Sequence, residues 1–135
     1  MADLQGLARR VFASQPFSRF MGAELTGAGP QNAEITLPIV DHLKQQHGFV
    51  HGGVIGYLAD NAITFAGGLA LGGDALTSEF KINYVRPAVG SRLVARAHAK
   101  AAGKRQAVCQ CDIYVVEDGK ESPCAVTQGT VVPVK

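Results

Sequence analysis

The sequence is poor in charge, has few cysteines and lacks any cluster of basic residues. Of its 135 residues, 47% are apolar and 18% are charged, and the formal net charge is +2. A chain this apolar is not expected to be disordered. So small a net charge, with scattered lysines and arginines, argues against a nucleic-acid partner. The sequence also lacks repeats and linkers, so we expect one domain over residues 1–135, with an N-terminal helical segment at 1–20.

Targeting and membrane segments are lacking as well. The basic pair Arg9–Arg10 interrupts the only apolar run that could serve as a signal peptide. The longest apolar segment, residues 54–71, carries Asp60, Asn61 and several glycines, which argues against a transmembrane span. The three cysteines, an odd number without an export signal, are expected to be buried, reduced thiols in a cytoplasmic protein. No further ligands stand at the spacing of a metal site.

Periodicity and turn residues predict two helices and six strands. Apolar residues recur at helical spacing over 4–14, and residues 54–71 form a helix that is apolar almost all round. Phe17 and Phe20 are expected to pack onto the body of the protein. The predicted strands, separated by turns such as Gly29-Pro30 and Asp118-Gly119, lie at 23–28, 32–38, 77–85, 92–101, 106–117 and 124–134. This order predicts an α+β fold in which a curved antiparallel sheet wraps around one long central helix.

Asp60 is the residue of the central helix that most needs an explanation. A carboxylate inside a buried helix is costly unless it is paired or neutralised, so Asp60 is either a reactive group or a structural acid at a dimer seam. Thr64 lies one turn further on the same face and is expected to hydrogen-bond to Asp60 or to water. Before the helix stand His51, Gly52 and Gly53, where free N–H groups and the helix dipole can bind an anion.

The spacing of Gly52 and Asp60 predicts a shared site. The two residues are about 12 Å apart along a helix, whereas catalytic contacts are about 3 Å long. They would converge if two copies of the helix packed antiparallel, so we expect a homodimer with two sites, each built from both chains. Such a site supports acyl transfer to water. Gly52 N–H would polarise a carbonyl, and Asp60 would act as general base or nucleophile.

The run Gln45…HGFVHGGVIGYLADNAITFA resembles the hot-dog-fold acyl-CoA thioesterases, in particular the PaaI type and the Arthrobacter-type 4-hydroxybenzoyl-CoA thioesterases. The resemblance covers residues 22–134 and includes the run NYVRP at 83–87, followed by Gly90. The resemblance implies the hot-dog fold and an acyl-CoA substrate. An aryl or arylacetyl group is the preferred acyl class, and medium-chain groups remain open. It also implies a tetramer of two dimers. No cofactor or metal is expected, because CoA is part of the substrate.

Five catalytic positions follow from this resemblance. Asp60 matches the catalytic acid of the family, and Gly52 matches the residue whose backbone N–H reaches the thioester carbonyl from the partner subunit. Gln45 matches an Asn or Gln near the carbonyl or the attacking water, and Thr64 matches a threonine of the 4-hydroxybenzoyl-CoA enzymes. His51 matches the histidine beside the glycines, where fixing the loop geometry and acid–base work are both open roles.

Substrate-binding roles are implied for five further residues. Thr77 matches a Ser or Thr that positions water, and Gly53 would leave room for the ligand. Arg86, Lys104 and Arg105 could bind the phosphates of CoA, or they are solvated turn charges. Two alternative functions stay open. A hot-dog hydratase is disfavoured because the sequence has no Asp-x-Asn-Pro-x-His run, and a non-catalytic acyl-CoA-binding dimer is disfavoured by the acid at position 60.

Overall fold

The structure is a computed structural model that describes residues 3–134. The predicted domain and N-terminal segment also include residues 1, 2 and 135, which lie outside the described residues. The chain first forms helices α1 (Leu4–Ser14) and α2 (Pro16–Met21) and strands β1 (Glu24–Ala28) and β2 (Asn32–Pro38). A 3-10 turn at Asp41–Leu43 leads to helix α3 (Gly52–Leu71). Four strands follow, β3 (Ala75–Tyr84), β4 (Arg92–Ala102), β5 (Ala107–Glu117) and β6 (Lys120–Pro133).

The strands form one antiparallel sheet around α3, which confirms the predicted α+β, hot-dog architecture. The strand order is β1-β2-β4-β5-β6-β3, and α3 contacts β2, β3, β4, β5 and β6. Leu58, Ala62 and Ile63 of the helix are fully buried. By length and composition alone α3 could cross a membrane. Its buried side chains instead make it the core helix of a soluble fold, because they pack against the sheet.

Gly67 explains how the sheet approaches the helix so closely. A Cβ atom at this position would stand 2.7 Å from Cβ of Val131 on β6. Real side chains do not tolerate so short a contact, so only glycine lets β6 lie directly on the helix. At the end of α3, Gly72 has a φ of 85° and closes the helix in the left-handed conformation.

One prediction about the first helical segment is wrong. Residues 16–21 form a second short helix that begins at Pro16. Phe17 and Phe20 on this helix do not pack into the body as expected, since they are 55% and 72% exposed. The reason is the helical period. Ser18 and Met21, three residues apart, take the buried face of α2, which leaves Phe17 and Phe20 outside. The Phe17 ring keeps one edge-on contact with Tyr57 of α3, with ring centroids 5.2 Å apart.

The last strand also begins earlier than predicted. It starts at Lys120 rather than at residue 124, because Pro123 does not break it. The register with β5 shifts between Ile113 and Tyr114, next to the Tyr114–Pro123 pair. Such an irregularity accommodates a proline that cannot donate to the ladder. The other predicted bounds agree with the observed ones to within two residues.

The three cysteines are buried and form no disulfide. Burial raises the pKa of the Cys109 and Cys124 thiols to about 11 and that of Cys111 to about 12. They are therefore small core side chains with little thiolate at neutral pH.

Candidate active site

Asp60 carries an unpartnered oxygen at the middle of α3. Its Oδ1 atom is buried and has no hydrogen-bond partner among the described residues. Buried polar atoms are nearly always paired, because an unmade bond costs about 1–3 kcal/mol. Asp60 also lines a cavity of about 310 Å³. A half-buried acid that lines a cavity, and whose shielded oxygen finds no donor among the described residues, is suited to bind a reacting molecule.

The polar neighbours of Asp60 are occupied with one another. Asn61 Nδ2 donates to Gln15 Oε1 at 3.0 Å and to Ser18 Oγ at 3.2 Å, and Ser18 also bonds the Tyr57 hydroxyl. Burial raises the pKa of Tyr57, so its hydroxyl stays protonated. This network fastens α1 and α2 to α3. It forms one wall of the cavity without using the carboxylate of Asp60.

Thr64 and Thr77 form a hydroxyl pair beside the acid. Thr64 Oγ1 donates to the main-chain carbonyl of Asp60 at 2.8 Å, and the two threonine hydroxyls are 2.5 Å apart. Thr64 therefore bonds to Asp60 through its main-chain carbonyl and not through its carboxylate. Because the single proton of Thr64 is used on the carbonyl, Thr77 donates to Thr64 and keeps its own lone pairs as acceptors.

The N-terminus of α3 presents a free backbone donor. His51 is the N-cap residue, and its Nδ1 atom accepts a hydrogen bond from Gly53 N–H at 2.8 Å. The neutral His51 ring therefore carries its proton on Nε2. Gly52 N–H makes no hydrogen bond within residues 3–134. The histidine thus fixes the loop, while the amide of Gly52 remains available to a ligand.

Tyr84 belongs to this end of the site, although no sequence pattern predicted a role for it. Its hydroxyl donates to Gly52 O at 2.9 Å, which ties the end of β3 to the start of α3. The quoted run at 83–87 contained Tyr84, but its role depends on how β3 lies along the helix. That placement is set by tertiary packing, which spacing in the sequence does not reveal.

Gln45 and Arg86 lie near Gly52, in a second cavity of about 410 Å³. Gln45 Oε1 accepts from His47 N–H, so the carbonyl side of the amide is used within the loop. The NH₂ group of Gln45 is the part left to face a ligand. Asp60 and Thr64 line the first cavity but not this one. The predicted separation of Gly52 from Asp60 within one chain is confirmed.

Lys104 and Arg105 line neither of these two cavities. They stand in the exposed turn between β4 and β5, which Gly103 N–H closes by bonding Gln106 O. Arg86, by contrast, lies just beyond the end of β3, after Val85, and lines the Gly52 cavity. Among residues 3–134, no group of three or more His, Cys, Asp or Glu side chains could hold a metal ion.

Comparison with known proteins gives consistent matches. The family model described as "Thioesterase superfamily" matches residues 47–122. A Haemophilus influenzae relative, whose name provisionally calls it an esterase, is 31% identical over 100 residues, or 73% of this chain and 72% of its own. A thioesterase family protein from Silicibacter pomeroyi has a TM-score of 0.91 at 32% identity, covering 96% of each chain.

Two further solved structures share the fold. The thioesterase HI1161 from Haemophilus influenzae has a TM-score of 0.81 at 28% identity, covering 98% of this chain and 90% of its own. The Escherichia coli PaaI protein from the phenylacetic acid degradation operon has a TM-score of 0.85, covering 98% and 94%. Its identity of 21% establishes a common fold only.

Proposed function

The chain belongs to the thioesterase superfamily and is a thioester hydrolase, and we propose that it hydrolyses an aryl- or arylacetyl-CoA to the free acid and CoA. The acyl class is proposed from the resemblance of residues 45–66 to the PaaI-type and 4-hydroxybenzoyl-CoA enzymes. We further propose a cytoplasmic homodimer with shared sites, two of which form a tetramer. No cofactor or metal is proposed, and neither a nucleic acid nor a membrane is a proposed partner.

The observation that carries this proposal is how α3 lies along β3. Tyr84 contacts Gly52 at one end of the strand, and Thr77 contacts Thr64 at the other. β3 is an outer strand of the sheet and, within the described residues, pairs only with β6, so its other edge is open to a second strand. Antiparallel pairing of two β3 strands, centred nearer Tyr84 than Ala75, would bring Gly52 of one chain to Asp60 of the other.

The proposed reaction uses one group from each chain. Gly52 N–H, at the positive end of α3, donates to the thioester carbonyl oxygen and stabilises the oxyanion that forms. The carboxylate of Asp60 takes a proton from water, whose oxygen attacks the carbonyl carbon. When the tetrahedral intermediate collapses, the C–S bond breaks and the proton passes from Asp60 to the departing sulfur. Direct attack by Asp60, through a mixed anhydride that water then hydrolyses, is the alternative route.

The remaining site residues have supporting roles in this proposal. Thr77, whose lone pairs are free, accepts a hydrogen bond from the attacking water and holds it beside Asp60. The amide NH₂ of Gln45 reaches the carbonyl from the Gly52 side, and His51 keeps the loop in place. Arg86 is the proposed contact for the phosphates of CoA, since it lines the cavity next to Gly52.

Thiol release from a panel of CoA esters tests the proposal. Aryl-, arylacetyl- and straight-chain acyl-CoAs are compared for the natural chain, Asp60→Asn and the matched control Asp112→Asn, an exposed acid on β5. We expect turnover of the aryl class, a loss of about 100-fold or more in Asp60→Asn, and no change in the control. An Asp60→Asn protein that is folded and fully active would refute the assignment of the acid.

A further inference from the structure

A separate apolar groove lies between α1 and α3, next to the Asp60 cavity. Its walls include Leu7 and Val11 of α1 and Phe65 and Leu69 of α3, and its volume is about 130 Å³. Thr64 and Gln15 line both this groove and the cavity of Asp60. A substrate whose carbonyl stands at Asp60 therefore has an apolar space directly behind Thr64.

The groove is preformed by contacts on both sides. Phe12 of α1 packs on Phe65 of α3 with ring centroids 5.5 Å apart. At the end of α1, Gln15 exchanges hydrogen bonds with Asn61. Because these contacts hold α1 against α3, the groove need not form when a ligand arrives. Leu7 and Val11 nevertheless remain 46% and 36% exposed, so a ligand would cover apolar surface there.

The size and walls of the groove suit one aromatic ring. An engineered apolar cavity of about 150 Å³ binds benzene, which is close to the volume found here. Phe65 offers a ring for a tilted aromatic contact. The only carboxylate in the lining is that of Asp74, and it would repel an acyl group that carries its own carboxylate.

We propose that this groove holds the aromatic ring of the acyl group, and that α1, through Leu7 and Val11, determines which acyl-CoA is hydrolysed. The inference rests on the proposed function and extends it to named specificity residues. The thioester carbonyl stands between Asp60 and the partner's Gly52, and the ring passes Thr64 into the groove. A short linker between the ring and the carbonyl, as in an arylacetyl group, spans the distance from Asp60 past Thr64 to the groove.

The test compares kcat/KM for phenylacetyl-CoA with kcat/KM for acetyl-CoA, whose methyl group is too short to reach the groove. Val11→Phe would fill the groove, and we expect it to lower this ratio by about 10-fold or more. Gln5→Phe is the matched control. It introduces the same ring on the same helix at an exposed residue that does not line the groove, and it should leave the ratio unchanged.

Three outcomes are informative. An unchanged ratio in Val11→Phe would overturn the proposal, and so would a natural chain that prefers hexanoyl-CoA to phenylacetyl-CoA. If no CoA ester releases thiol, the proposed function fails, and the groove is tested without turnover. Titration with toluene should then shift the methyl NMR signals of Leu7 and Val11 in the natural chain, and their constancy would overturn the assignment of the ring site.

Discussion

Replacing Gly52 with proline should remove the proposed oxyanion donor while keeping the helix that carries it. Gly52 is the first residue of α3, where proline is favoured because the helix does not use that N–H. His51, with φ −61° and ψ 136°, already has the extended conformation that a residue before proline adopts. Gly52→Pro is therefore expected to fold, which can be checked by circular dichroism and size-exclusion chromatography.

The expected loss of activity in Gly52→Pro follows from the loss of one hydrogen bond to the oxyanion. Removing such a donor typically costs about 3 kcal/mol, or roughly 100- to 1,000-fold in kcat. Gly52→Ala is the control, because it keeps the N–H. Its Cβ would stand 3.3 Å from the Tyr84 hydroxyl oxygen, a contact that proline also makes. We expect the alanine variant to lose far less activity, so the difference between the two variants reports the change at the backbone nitrogen.

Mixing two inactive variants tests whether the site is shared. In a heterodimer of Gly52→Pro and Asp60→Asn, one site carries both substitutions and the other carries neither, if each site takes Gly52 and Asp60 from different chains. With random exchange half of the dimers are mixed, so about a quarter of the natural activity should return. The assay is thiol release after refolding the two variants together from denaturant.

Two results would refute this reasoning. If each site used one chain alone, the mixture would stay as inactive as its components, although both variants fold and form dimers. If Gly52→Pro kept the activity of Gly52→Ala, the backbone N–H would have no role in stabilising the oxyanion.

Three further predictions concern the fold. Gly67→Ala should destabilise the protein by about 1–3 kcal/mol in urea unfolding, because its Cβ would stand 2.7 Å from Cβ of Val131. Gly73→Ala, which has open space, should not destabilise it, and equal effects would contradict the packing argument. His51→Ala should cost about 1 kcal/mol through loss of the cap, with His51→Asn restoring most of it in the same assay. The three buried thiols should not react with Ellman's reagent until the chain is unfolded, and rapid labelling of the native protein would contradict their burial.

Much of the fold could be predicted because local signals agreed with the tertiary structure. Gly29-Pro30 and Asp118-Gly119 mark hairpin turns, and in the structure Asp118 and Gly119 both have positive φ, at 51° and 77°. The central helix was recognisable because it lacks a polar face. The separation of Gly52 from Asp60 followed from helical rise alone, and the structure places them in different cavities.

The remaining features depend on contacts between distant parts of the chain. No local pattern reveals that Tyr84 reaches Gly52, 32 residues away. The network that joins Gln15 to Asn61 spans 46 residues. Helix α2 is only six residues long and carries two aromatic residues on its exposed face, so hydrophobicity suggested burial where the helical period gives exposure. The sequence thus predicted the position of Asp60 but not the hydrogen-bond network of Gln15, Ser18, Tyr57 and Asn61 that forms one wall of its cavity.

The unpartnered oxygen of Asp60 and the open edge of β3 are two parts of one arrangement. In the described part of one chain, a buried carboxylate oxygen has no donor and a ten-residue strand has one edge unpaired, and both are unfavourable in isolation. Pairing two β3 strands would cover the edge. It would also place beside Asp60 a helix N-terminus whose first amide has no partner among residues 3–134 of its own chain. The proposed assembly that completes the sheet would therefore also bring together the acid and the oxyanion donor, so that activity would require the dimer.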